Sequence, residues 1–378
     1  MKKKQTTAIF IIMIGRFHYL YISIFLLALV GVSFIIIPPH LFGDSISYLK
    51  SVDVLKTGKI PLDFVPNRIL TTFAGLQTVI FLSYIFGDIL NAWLFMNIVF
   101  YIIANLFFYK LLEEFFESRK VAFCGMLLLA ANYAMITFGP AYLMDMGGWM
   151  FYIIAFFLVF RFLKTWEVKY LIWGALATGL GGLFKEYGYF GFIPIFLSLL
   201  FYCGYNFKNL IKYLLPLGAL AVLPAILVHA SIYVNYHYSY FDWLIFNKHL
   251  MKDSSFDFLS YAKVFGSLFT FGWFLFIGGI GVLIKRGVKI FNQERWIFIA
   301  AMFFSIMPIF LWPGIIQRIF FITIPFVILI SCIFLKKYES RIYYFAPFFI
   351  IYILANFSMD KYILPMINID YFIQLFLK

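Results

Sequence analysis

Residues 38–87 read PPHLFGDSISYLKSVDVLKTGKIPLDFVPNRILTTFAGLQTVIFLSYIFG, and the way the tail of this stretch lies decides the topology of everything after it. The stretch gathers three aspartates and four Lys or Arg residues in a chain that is only 12% charged. Its tail, 69–86, is apolar enough to cross a membrane. Charge settles how to read it. If 69–86 crosses, 11 of the 30 Lys and Arg residues fall on the cytoplasmic side and 19 outside. If it lies along the surface, the count reverses to 19 inside and 11 outside. Lys and Arg concentrate in cytoplasmic loops, so the sequence predicts an interfacial helix at 69–86 that does not cross.

Outward from this stretch the chain is 64% hydrophobic, with repeated apolar runs of membrane length. That composition excludes a soluble domain and predicts an all-α, polytopic integral membrane protein. The alternating ten-residue pattern of a β-barrel is absent. Eleven spans are predicted: 17–37, 88–109, 121–138, 146–162, 170–184, 189–205, 213–234, 264–284, 296–312, 319–335 and 342–357. They form one transmembrane domain over 1–378, with a first outer loop at 38–87, a longer outer loop at 235–263 and no soluble domain. The N-terminus is expected in the cytoplasm, and 17–37 reads as an uncleaved helix because Arg16 and His18 interrupt any signal-peptide pattern. The net charge of +13 sits in short inside loops, so it implies a lipid bilayer as partner and no nucleic acid. Cys124, Cys203 and Cys332 fall inside spans with no zinc-like spacing and read as buried thiols.

Holding 69–86 at the surface places Asp44, Arg68, the stretch 139–145, Lys185, Glu186, the loop 235–263 and Arg318 on one face. Ionisable groups at membrane depth cost roughly 2.5 to 3.5 kcal/mol on insertion scales, so they mark functional sites by default. Asp44 lies in G-D-S-I-S-Y, and in a helix Asp44 and Tyr48 share one face at i, i+4 spacing. The plain alternative is a helix N-cap. Asp145, in F-G-P-A-Y-L-M-D-M-G-G-W-M, has uncharged neighbours that suit an acid–base role, again against a cap, and its Gly-Pro and Gly-Gly pairs suggest backbone in close approach. Lys185 and Glu186 end G-A-L-A-T-G-L-G-G-L-F-K-E, whose small residues permit close helix packing. An outer lysine fits either snorkelling or an anionic head group. Arg318 either anchors its helix or binds phosphate in the bidentate manner of arginine. Three outward cations (Arg68, Lys185, Arg318) facing few acids suggest an anionic ligand. His237, Asp242, His249, Asp253 and Asp257 in the 235–263 loop have no recognised metal-ligand spacing.

The order of these features resembles the GT-C superfamily of membrane glycosyltransferases, on the branch of the protein O-mannosyltransferases and the lipid A aminoarabinose transferases. It runs through a first span, an outer loop with an early acid and Tyr four residues on, and an amphipathic segment ending in F-G. A long second span, Asp in the second outer loop and a Gly-rich helix ending in K-E follow. The resemblance covers about 17–194 and resumes at 317–325 (Q-R-I-F-F-I-T-I-P). Ser45 stands where the family pattern Asp-Glu-x-x-Tyr carries its second acid.

This resemblance implies transfer of a sugar, with inversion, from a polyprenyl-phosphate-linked donor to an envelope glycan, glycolipid or protein acceptor. The active site would be extracytoplasmic, in a multi-pass cell (inner) membrane protein. Asp44 and Asp145 are the expected catalytic residues; Tyr48, Arg68, Lys185, Glu186 and Arg318 are expected to bind substrate. No metal ligands are assigned; a divalent metal is compatible with the sequence and not required by it. The rival readings are a lipid-linked glycan transporter or flippase, whose sites sit near the midplane with inverted repeats, and a Wzy-type glycan polymerase or ligase.

Overall fold

The computed structural model describes the backbone of residues 2–62, 64–204, 206–250, 258–311 and 316–359, and the side chains from 18 onward within those limits except 247–250, 258–259, 288–289 and 311. The described residues form helices and no strand. In chain order α1 is Lys2–Ile36, α2 Gly43–Thr57, α3 Asn67–Phe86, α4 Ile89–Phe116, α5 Arg119–Ala130 and α6 Tyr133–Thr137. α7 is Asp145–Thr165, α8 Lys169–Phe184, α9 Phe192–Cys203, α10 Phe207–Tyr236, α11 Tyr240–Leu250 and α12 Phe258–Phe269. α13 is Gly272–Arg286, α14 Gln293–Ile306, α15 Gln317–Phe320, α16 Ile324–Lys337 and α17 Ala346–Phe357. Nine segments among the described residues are long and apolar enough to cross a membrane, or up to ten if the bent pair α12–α13 counts as one. The chain is an all-α polytopic membrane protein.

Local chemistry sets the helix ends. Asp88 caps α4 by accepting the Asn91 N–H at 2.7 Å, and Ser118, Asn132, Asn206 and Asn292 do the same for α5, α6, α10 and α14. α2 and α3 stop at Gly58 and Gly87, whose left-handed backbone (φ 69 and 70) closes each helix.

Two expected spans differ from the structure. The 121–138 run breaks after Ala130, where Asn132 starts the short α6. The 264–284 run is bent by 91° between α12 and α13. Backbone freed by a break at membrane depth needs partners, and two asparagines supply them. Asn132 donates to the Leu268 carbonyl. Asn356 accepts the Tyr133 N–H at 2.9 Å and donates to Thr270 Oγ1 at 3.3 Å. The two breaks thus stitch each other together. The small residues of α8 act as expected, since a side chain at Gly179 would meet the Leu220 and Ala221 carbonyls of α10 at 2.9 Å.

The packing divides into two apolar clusters. The larger one runs through the bundle, from α1, α4, α5 and α7 to α13, α14, α16 and α17. The smaller one joins the inner faces of α2 and α3 (Tyr48, Val52, Ile69, Leu76, Val79) to residues at one end of the bundle. Those partners are Trp93 and Met96 in the first turns of α4, Leu143 and Met144 before α7, Phe184 closing α8 and Ile232 near the end of α10. α3 is long and apolar enough to span, yet along its length it meets the ends of spans. It lies across that end of the bundle, with α2 alongside it from Asp44 and Arg68 to Lys56 and Ser83. α3 is kinked at Thr72 (φ −141), and His229 of α10 sits 3.2 Å from the Leu70 carbonyl beside that kink.

Candidate active site

Asp44 is the second residue of α2. It does not cap the helix; that role goes to its neighbour. Ser45 Oγ accepts the Phe42 N–H at 3.0 Å and donates to the Tyr142 carbonyl at 2.6 Å, which fixes the start of α2 against the loop before α7. That loop is held from below: Trp93 Nε1 donates to the Leu143 carbonyl at 3.0 Å, and Asn97 Nδ2 to the carbonyls of Ala141 and Leu143. Asp145 then opens α7, where the positive helix end favours a carboxylate. The Gly147–Gly148 pair brings α7 onto the segment closing α8. A side chain at Gly147 would overlap the Phe184 ring at 2.4 Å, and one at Gly148 the Lys185 Cβ at 2.7 Å. Lys185 ends α8 in an extended conformation, and a 3-10 turn, Glu186–Gly191, carries Glu186 and Tyr187 back over the same spot.

All seven residues expected from the sequence meet here. Asp44 sits between two guanidinium groups, one carboxylate oxygen ion-paired with Arg68 and the other with Arg318. Arg318 also reaches Asp145, Nη1 to Oδ2 at 3.8 Å. Asp145 is wholly buried and accepts a hydrogen bond from the Tyr187 hydroxyl. Lys185 Nζ donates to the Tyr48 hydroxyl at 3.3 Å and lies 3.4 Å from Glu186 Oε2. The Arg68 guanidinium stacks over the Tyr48 ring at 5.1 Å. Three cations therefore face three carboxylates. The expectation of outward cations short of acidic partners is corrected: Arg68, Lys185 and Arg318 each already has a carboxylate.

Burial and charge oppose each other at these groups. Burial pushes the Asp44 carboxyl upward, but Arg68 and Arg318 together hold it below its ordinary value. Burial likewise lowers Lys185, and the outcome is reversed by Glu186, Tyr48 and Asp145, which raise it. Both groups are held in their charged forms.

A cavity of about 360 Å³ opens beside the cluster, lined by Phe42, Gly43, Asp44, Phe138, Leu143, Ile316, Gln317 and Arg318. Asp44 and Arg318 form its polar wall; Asp145 and Lys185 stand behind them. Phe42 and Phe138 also line a larger cavity of about 830 Å³ between the end of α1, α6 and the end of α17. A polar wall thus adjoins a mostly apolar space.

Tyr187, which holds Asp145, and Ser45, which seats α2, were not singled out by sequence reasoning as partners of the site. Tyr187 follows directly on the K-E pair, and this position was the available signal. From the 235–263 loop, Asp242 turns instead to Ser239, and His237 stands at the end of α10 beside Tyr233. The side chains of His249, Asp253 and Asp257 lie outside the described residues. Among the described residues no three His, Cys, Asp or Glu side chains are grouped to hold a metal ion, and both oxygens of Asp44 face guanidinium groups.

No curated protein matches the chain. A family model described as dolichyl-phosphate-mannose-protein mannosyltransferase matches residues 76–229, a segment holding the second half of α3, α4, Asp145 and the Lys185–Tyr187 run. Together with the multi-pass helical fold, the match supports the reading of the chain as a GT-C-like membrane glycosyltransferase.

Proposed function

We propose that the protein transfers a sugar from a polyprenyl-phosphate carrier to a hydroxyl of an envelope glycan, glycolipid or protein acceptor, with inversion, at the extracytoplasmic face. The observation that carries this reading is the setting of Asp44. It lies on the wall of an otherwise largely apolar pocket, one guanidinium on each carboxylate oxygen, next to a mostly apolar cavity large enough for part of a prenyl chain. The positive-inside distribution supports placing this end of the bundle outside.

In the resting site Asp44 is charged but a weak base, because two cations stabilise its ionised form. A donor phosphate entering the pocket competes for Arg318 and Arg68. As they turn to it, the Asp44 carboxylate regains basicity. The acceptor hydroxyl then gives its proton to Asp44 while its oxygen bonds to the anomeric carbon. The bond from that carbon to the phosphate oxygen breaks, and the electron pair leaves on polyprenyl phosphate. That leaving group needs positive charge more than a proton, and Arg318, Arg68 and Lys185 supply it. We assign Asp145, held by Tyr187 and fully buried, to positioning Arg318, with Tyr48 and Glu186 doing the same for Lys185 and Arg68.

The test is transfer from polyprenyl-phosphate sugars labelled in the sugar, beginning with mannose, by the purified protein in detergent. Asp44→Asn is expected to lower turnover by about 10²- to 10⁴-fold while the variant stays folded and still binds polyprenyl phosphate. Turnover like that of the unmodified protein would remove Asp44 from the role of base.

A further inference from the structure

The end of the bundle opposite the Asp44 cluster carries a second built concavity. α4 begins at the cluster and ends here, as does the run Gln317–Lys337, whose 21 residues span roughly 30 Å at the helical rise. A cavity of about 300 Å³ opens between the ends of α4, α13 and α16 and the start of α14. Its floor is apolar, with Phe115, Phe291 and Ile333 among its residues, and four cations surround it: Arg286, Arg295, Lys336 and Lys337.

Two of these cations are already engaged, Arg295 with Glu117 and Lys336 with Glu339 at 2.7 Å. Arg286 and Lys337 have no carboxylate partner among the described residues, although Lys337 lies over the Tyr338 ring at 5.1 Å.

We propose that this cavity binds the phosphate head group of an anionic membrane phospholipid, with the acyl chains leaving it toward the bilayer. The positive-inside trend accounts for cations near this end of the bundle. It does not account for two cations without a carboxylate partner among the described residues converging on a concavity with an aromatic floor. Basic pockets between spans are recognised binding places for lipid phosphates. The apolar floor favours a lipid phosphate over a free one.

The test uses the full chain in neutral detergent and follows thermal unfolding with added phosphatidylglycerol, phosphatidylcholine or inorganic phosphate. Phosphatidylglycerol is expected to raise Tm and the other two to leave it unchanged. Arg286→Gln with Lys337→Gln is expected to weaken the phosphatidylglycerol response about tenfold in concentration, and Lys285→Gln, a cation that does not line the cavity, to leave it within about twofold. Both altered residues are exposed, so the unliganded variant should melt as the unmodified protein does. Equal binding by the double variant, or an equal loss in Lys285→Gln, would overturn the site. A matching response to inorganic phosphate would overturn the lipid as its ligand.

Discussion

The two ends of this bundle use the same ion-pair chemistry in opposite settings. At the Asp44 end, Arg318 pairs with Asp44 and Asp145, and these three side chains are 21%, 22% and 0% exposed. At the other end Arg295 pairs with Glu117, which is 73% exposed, and Arg119, itself 63% exposed, pairs with Glu113 at 2.9 Å. An exposed pair is screened by water and contributes about 0 to 1 kcal/mol. A buried one has lost its hydration, so each member depends on the other, and removing one partner costs about 3 to 5 kcal/mol. The difference shows where electrostatic consequence is concentrated. By the sequence reading, nineteen of the 30 basic residues belong to inside loops and set orientation, whereas three at the Asp44 end hold the three carboxylates of the candidate active site.

The most severe way to break this comparison is Arg318→Ala. It leaves Asp145 buried without its ion-pair partner and strips one oxygen of Asp44. The expected loss is about 3 to 5 kcal/mol, read as a lowered Tm of the purified protein in detergent. Adding Asp145→Asn removes the stranded charge and should recover part of that loss. A Tm within a degree of the unmodified protein for Arg318→Ala alone would mean that water reaches the cluster and that the two ends are equivalent.

A smaller effect follows from pH. The folded-state value of Asp44 lies below its ordinary value of 3.8 because the pull of Arg68 and Arg318 outweighs burial. A lowered folded value gives stability that is complete above the ordinary value and is lost as pH falls through the folded one. The Asp44 contribution to Tm should therefore be flat from neutral pH down to about 4 and decline below it. In Asp44→Asn this part of the acid limb should vanish. If the two acid limbs coincide, the guanidinium groups do not hold the carboxylate as the geometry implies.

Much of this arrangement was legible in the sequence because membranes impose simple rules. Apolar length gave the helices, and the Lys and Arg count kept 69–86 off the list of spans, in accord with α3 lying across the bundle end. The same reasoning put Asp44, Tyr48, Arg68, Asp145, Lys185, Glu186 and Arg318 on one face, where the structure brings them into one cluster. Pairing was not legible. Hydropathy and spacing locate a charged residue along its helix but say nothing of which helix stands opposite, so the three cations read as free. The breaks at Asn132 and Thr270 were hidden for a related reason. Both runs are mostly apolar, and the asparagine contacts that make a break tolerable join segments 86 to 223 residues apart. Ser45 read as a lost acid; only the position of the Tyr142 carbonyl shows that its hydroxyl seats α2.

The mildest test of the comparison is Glu117→Gln at the end of α4. Glu117 adopts a left-handed backbone (φ 52), a conformation that glutamine meets with the same cost, so the substitution isolates the charge. Its partner Arg295 keeps the Phe115 ring beneath it at 5.7 Å and remains on the wall of the cavity between α4, α13 and α16. Loss of the pair should therefore lower stability by no more than about 1 kcal/mol at low ionic strength, and raising the salt to ~1 M, where the Debye length falls to about 3 Å, should shrink even that difference. A salt-independent loss as large as that expected for Arg318→Ala would show that this end is as dry as the other, and that the contrast between them is one of residue placement alone.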